Sequence, residues 1–147
     1  VKGICIDLRH VEPKSEITSS DLEEAVKKTG QPIPENGTLL LCTGHHERTF
    51  PSAAYSTDNP GVNIEATKWI AEQGFVHFGI DSMRPGPIGD VNSLVHKICH
   101  EVNITHLESL CNLEKLLGRG EFTFICLPLA WRGGTGSPVR AVAVFDM

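Results

Sequence analysis

His96 and Glu108 lie twelve residues apart in the stretch LVHKICHEVNITHLESLCNLEKL. A helix ending at Val102 followed by a strand beginning at Ile104 would aim both side chains at one point. A neutral imidazole and a carboxylate are ordinary ligands for zinc or manganese. A hydrolytic centre, however, normally draws three or more ligands from the protein and keeps one position open for water. Two ligands are therefore an incomplete set, and further donors have to be sought. His106 precedes Glu108 by two residues, which places both on the same face of a strand, and it is the first additional candidate. His45 and His46 follow the apolar run TLLLCT and precede Glu47. Adjacent residues on a strand point to opposite faces, so one of the two histidines would turn inward, the alternative being a solvated loop. His96 and His100 have the i, i+4 spacing of a helical metal pair, but HKICH lacks the glutamate of H-E-x-x-H and so carries no built-in general base. Asp81 and Ser82 end an apolar run before MRPGP, where the carboxylate serves either a site or a turn cap. His77, inside FVHFGI, reads as structural. Cys42 and Cys99 sit in apolar runs, without the exposure and activating base that a nucleophile needs. The catalytic base stays unassigned. GGTGSP lacks the G-x-x-x-x-G-K-[ST] spacing of a phosphate loop and reads as a turn.

The elements that must position these groups alternate apolar runs with helical patterns: GICIDL, a helix, GTLLLCT, a helix, FVHFGI, a helix, ITHLES, a short helical turn, EFTFICLP and VRAVAVF. That order predicts an α/β fold. The first helix should be capped by Thr18 with Asp21 three residues on, stapled by Ile17 and Leu22, and stopped at Gly30, with Leu22, Ala25 and Val26 facing the core. A second helix should run from Asn63 as cap to Gly74, and a third over about Asn92 to Val102. In the third, Leu94, Val95, Ile98, Cys99 and Val102 form an apolar stripe with His96 and His100 beside it. Pro- and Gly-rich stretches at 31–37, 50–61, 84–89 and 132–138 read as loops.

With 147 residues, 40% of them hydrophobic, the chain is sized for a single domain over 1–147 with a sizeable core. A net charge of −5 without any Lys/Arg run speaks against nucleic acid and anionic membranes as partners. No apolar stretch approaches the roughly 20 residues that cross a bilayer, and the opening eight residues are too short for a signal peptide. Five cysteines without a CxxC pair suit a reducing, cytoplasmic compartment. Two glycosylation-type triplets, at Asn36 and Asn103, would matter only in a secreted protein.

Taken together, GICIDL, ITSSDLEEA, LLLCTG, GIDS, the His96 to Glu108 string, FICLPL and GSPVRAVAVF resemble the later part of the cyclase family of metal-dependent hydrolases, the kynurenine formamidase and isatin hydrolase type. The resemblance spans Gly3 to Phe145 in preserved order. It implies a mixed β-sheet with flanking helices, similar to that family's swivelling β/β/α fold, and it matches His96 and Glu108 to two metal-site positions. It further implies a zinc or manganese cofactor, a small aromatic amide or cyclic amide as substrate, and aryl-formamide chemistry of the kind used in tryptophan catabolism. The family also carries an earlier H-x-G-T-H-x-D-x-P-x-H motif, which this sequence lacks. Two expectations follow. In one, a segment or chain beyond this sequence completes a hydrolase. In the other, the protein is a shortened relative without catalysis, with or without metal, that serves as a binding or structural homo-oligomer.

Overall fold

The capping box that the sequence announces at Thr18 forms as written. In the computed structural model, which describes residues 1–145, the Asp21 backbone N–H donates to Thr18 Oγ1 (3.2 Å) and the Thr18 backbone N–H to Asp21 Oδ2 (2.8 Å). Two otherwise unpaired helix-end donors are thereby satisfied. The helix, α1 (Ser19–Thr29), buries Leu22, Ala25 and Val26 and ends on Gly30, whose φ of 64° is the left-handed conformation that glycine adopts without strain.

α1 follows strands β1 (Lys2–Asp7) and β2 (Glu16–Ile17) and precedes β3 (Thr38–Cys42). Further on come two short helices, α2 (His45–Thr49) and α3 (Ala54–Thr57), then β4 (Gly61–Val62), α4 (Ile64–Glu72), β5 (His77–Ile80), α5 (Asp90–Glu101) and β6 (Thr105–Leu107). A 3-10 turn over Leu113–Leu116 leads to β7 (Phe122–Pro128) and β8 (Val139–Val144). The main sheet has the order β6-β5-β3-β1-β7-β8. β6, β5, β3 and β1 are parallel, while β7 and β8 join antiparallel, so the sheet is mixed. β2 and β4 form a separate parallel pair.

β3 explains why the sequence shows continuous apolar runs instead of alternation: all five of its residues are buried, as a central parallel strand covered on both faces requires. Leu39 and Leu41 join Ile4, Ile6, Phe78 and Ile80 against residues of the helices, including Leu22, Ile70 and Val95. Leu40 and Cys42 face the other way, into a cluster with Cys5, Leu110, Leu113, Phe122 and Phe124. Each fully buried leucine contributes about 1.5–3 kcal/mol.

Three expectations are corrected. The third helix starts at Asp90 and ends at Glu101, and its apolar stripe is not all core: Val95 and Cys99 are buried, whereas Leu94 and Val102 are exposed. β6 is the sheet edge, so α5 has α4 on one flank and no further strand beneath the other. TGHHE is neither a strand end nor a loop, because its histidines open α2. The stretch 50–61, expected as a loop, contains α3 and the start of β4. There Gly61 lies so close to the backbone of Gly86 that an added Cβ would meet its carbonyl carbon at 2.2 Å. This close approach lets the Val62 N–H donate to the Pro85 carbonyl (2.8 Å) and pins the loop after β5.

Candidate metal centre

The turn between α5 and β6 builds the site. Val102 ends the helix, Asn103 takes a left-handed φ of 55°, and Ile104 is already buried. The Ile104 N–H donates to the Cys99 carbonyl (2.9 Å) and the Asn103 N–H to the His100 carbonyl (3.3 Å). This is the paired closure of a Schellman motif, with asparagine standing where glycine is commonest. The chain thus reverses within one residue into β6, where His106 pairs with Phe78 of β5.

That reversal brings three side chains together. His96 Nε2 lies 3.7 Å from Glu108 Oε1, and His106 Nε2 lies 3.3 Å from the same oxygen. The two imidazoles meet edge to face with centroids 4.7 Å apart, and the His106 ring lies against Phe78 at 5.8 Å. One donor atom from each of the three falls within 4.8 Å of the other two. Four donors placed tetrahedrally around zinc stand roughly 3.3–3.5 Å from one another, given bonds of about 2.0–2.1 Å. Both distances to Glu108 are close to that spacing, and two histidines with one glutamate are a catalytic zinc donor set that leaves a fourth position for water. The residues present therefore fit a divalent ion. Side-chain exposure falls from 43% at His96 through 35% at Glu108 to 19% at His106, so the group is open on the α5 side. Burial holds the His96 pKa below its ordinary value and the neighbouring His106 pushes the same way, while the Glu108 carboxylate opposes them. The net effect favours the neutral imidazole, the form that binds metal.

The other expected residues lie elsewhere. His100, one turn from His96 on α5, is exposed and outside the group. His45 is buried and its Nε2 is 3.0 Å from the Tyr55 carbonyl, with the two rings stacked at 5.5 Å, so this is the inward-turned histidine of the pair in a packing role. His46 is half-buried and stacks on Phe50 at 4.9 Å. Asp81, buried after β5, accepts from the Thr43 N–H (3.1 Å) and from Thr43 Oγ1 (2.5 Å), which ties the loops after β3 and β5 together. Its pKa is raised by burial against these hydrogen bonds. His77 pairs with Thr105 Oγ1 across β5 and β6, a structural role.

Sequence reasoning passed over Tyr55. It is buried, and its hydroxyl meets no hydrogen-bond partner. Burial raises its pKa, Ser109 eases its ionisation without the geometry of a full hydrogen bond, and Asp81, Cys111 and Glu108 add to the rise. The signal available was a lone tyrosine, the only one in the chain, within a stretch read as loop.

The loops bearing Thr43, Asp81 and Glu108 all follow the carboxyl ends of parallel strands, the usual place for sites in α/β sheets. Comparison with known proteins agrees with this architecture. The family model described as "Putative cyclase" matches residues 1–87, and the chain belongs to the cyclase family. It is 30% identical over 146 residues to a kynurenine formamidase of Bacillus thuringiensis (strain Al Hakam), an alignment covering 96% of this chain. The chain spans 66% of that relative's length. The crystal structure of an isatin hydrolase bound to the product analogue thioisatinate superposes with a TM-score of 0.84 at 23% identity, over 100% of this chain and 60% of the other. A structure described as a potential metal-dependent hydrolase with cyclase activity gives a TM-score of 0.75 at 20% identity, over 97% and 63%. These two likenesses establish the shared fold. Among the described residues no helix is long and apolar enough to cross a membrane.

Proposed function

We propose that this chain carries the metal-binding side of an amide hydrolase acting on aryl formamides or cyclic amides. The observation that carries the reading is the convergence of His96, His106 and Glu108. The kynurenine formamidase and isatin hydrolase names of its relatives support the substrate class. His96, His106 and Glu108 would hold a zinc or manganese ion, which supplies a water of lowered pKa and a polarised carbonyl. The chain's own contribution is positional. The Asn103 turn fixes His96 against Glu108, and the β5–β6 pairing together with Phe78 fixes His106. Asp81 holds the neighbouring loop through Thr43. In this reading residues 1–147 act as one domain, and any donors beyond these three come from outside this sequence.

The test is metal content followed by turnover. The full chain, loaded with zinc or manganese and dialysed, should retain about one ion. Removing one donor, as in His106→Ala or Glu108→Gln, should weaken affinity by on the order of 100-fold, measured by competition with a chromophoric chelator. Release of formate from an aryl formamide by the loaded protein completes it. Loss of affinity in neither variant would end the metal assignment.

A second reading is favoured by the β7–β8 ribbon, where Ile125, Leu127, Val142 and Val144 are exposed. In it the protein is a non-catalytic family member that assembles with further copies of itself. Metal binding without turnover, together with a sedimentation profile above the monomer mass, would favour it; a monomer that releases formate would exclude it.

A further inference from the structure

Thr38 opens β3 fully buried, and among the described residues its enclosed Oγ1 meets no hydrogen-bond partner. A buried hydroxyl left unpaired is unfavourable, and valine would take up nearly the same space without it. Packing therefore accounts for the shape of Thr38 and not for its oxygen. Two residues earlier, Asn36 is exposed and takes a φ of 52° in the turn that the Gly37 N–H closes by donating to the Pro34 carbonyl (3.1 Å). That place in a turn favours glycine and accepts asparagine. Asn-x-Thr is the acceptor sequence for an N-linked sugar, which needs the amide at its first residue and the hydroxyl at its third. Such a role explains both residues at once.

The second triplet, Asn103-Ile104-Thr105, is a control within the same chain. There Asn103 takes the left-handed turn after α5 and Thr105 Oγ1 pairs with His77, so the fold itself uses that hydroxyl. The surroundings of Asn36 also suit a bulky, solvated group. β3 carries the chain from Thr38 to Cys42 and hands it to Thr43, whose N–H is bound by Asp81. Asn36 thus lies at the amino end of the sheet, away from the loops beside the metal centre. An oxidising compartment would find few thiols to attack, because access limits exchange. Cys5, Cys42 and Cys99 are buried and Cys126 is half-buried, which leaves Cys111 as the exposed one.

We propose that Asn36 is an N-glycosylation site, modified on the nascent chain in a secretory compartment before β3 closes over Thr38. The co-reactant is a lipid-linked oligosaccharide diphosphate. Asn36 Nδ2 bonds to C1 of the first sugar, the bond from C1 to the diphosphate oxygen breaks, the lipid diphosphate leaves, and the amide gives up one proton. Burial sets the order of events, since a transferase cannot read a hydroxyl enclosed in the folded protein. Neither Asn36 nor Thr38 belongs to the metal centre, so the site stands whether or not the chain hydrolyses amides. The test uses the protein recovered from the cells that make it. Trypsin releases residues 29–48 as one peptide. Treatment with peptide-N-glycosidase in heavy-oxygen water should convert Asn36 to a labelled aspartate that is absent without the enzyme; recovery of the unmodified peptide alone would overturn the proposal. In the same cells Thr38→Val should abolish the label and Thr38→Ser should retain it, and a label that survives in Thr38→Val counts against the site. Made in bacteria without any sugar, Thr38→Val should keep or raise the melting temperature. A fall of more than about 3 °C would show that the hydroxyl serves the fold, and the reason for assigning the site would be gone.

Discussion

The two halves of the main sheet are built from equally apolar sequence and meet different surroundings. In β1, β3 and β5, residues on both faces are covered, by α1, α4 and α5 on one side and by the Leu110, Leu113 and Phe122 cluster on the other. In β7 and β8 only one face is covered. Phe122, Phe124, Cys126, Ala141 and Ala143 pack inward, while Ile125, Leu127, Val142 and Val144 look outward on the helix side of the sheet, where no helix reaches them. Hydrophobic sequence marks what a strand can bury, and the layer above it decides what is buried. The comparison also bears on the candidate metal centre, because Glu108 follows β6 and the neighbouring loops of Thr43 and Asp81 follow β3 and β5, all of them strands of the parallel half.

The sharpest way to break this contrast is to truncate one leucine in each half. Leu41→Ala empties space in a strand closed on both faces and should cost about 2–5 kcal/mol in denaturant unfolding. A loss under about 1 kcal/mol would mean that the covered half is not the stabilising one. A smaller effect is expected at Asp81. Burial raises its folded pKa above the ordinary 3.8, so the protonated form is the one the fold favours. Stability from this group is complete below the unfolded pKa and is lost as pH rises through the raised folded value. Asp81→Asn, which keeps an acceptor for Thr43, should therefore stabilise the protein at neutral pH, with the gain shrinking to nothing as pH falls toward 3.8. A gain independent of pH would remove charge burial as its cause. The smallest effect belongs to the ribbon: Leu127 is 75% exposed, and Leu127→Ser should change stability by less than about 0.5 kcal/mol. A loss as large as that at Leu41 would show that another surface covers the ribbon in solution.

Thr18, Asp21 and Gly30 delimit α1 from sequence because caps and stops act through neighbouring residues along the chain. Asn63 does the same for α4, where its side chain accepts from the Ala66 N–H at 2.9 Å. The α5 stripe was legible as apolar but not as half-exposed, since exposure depends on where the sheet ends. His96 and Glu108 stood out by spacing, and His106 by strand alternation. His45, His46, Asp81 and His100 carried equally good residue types, yet the structure leaves them outside the group. Their side chains are taken up by Tyr55, Phe50 and Thr43 or turned to solvent.

The sequence by itself determined the order of the longer strands and helices, the caps, the bend between Val102 and Ile104 and hence the approach of one imidazole to one carboxylate. All of these arise from interactions across a few residues or from the local period of apolar side chains. Only the tertiary structure decided that His106 joins the pair and that Tyr55 is enclosed with its hydroxyl unpaired. Those outcomes depend on which strands become neighbours and which faces stay open, and long-range packing settles them.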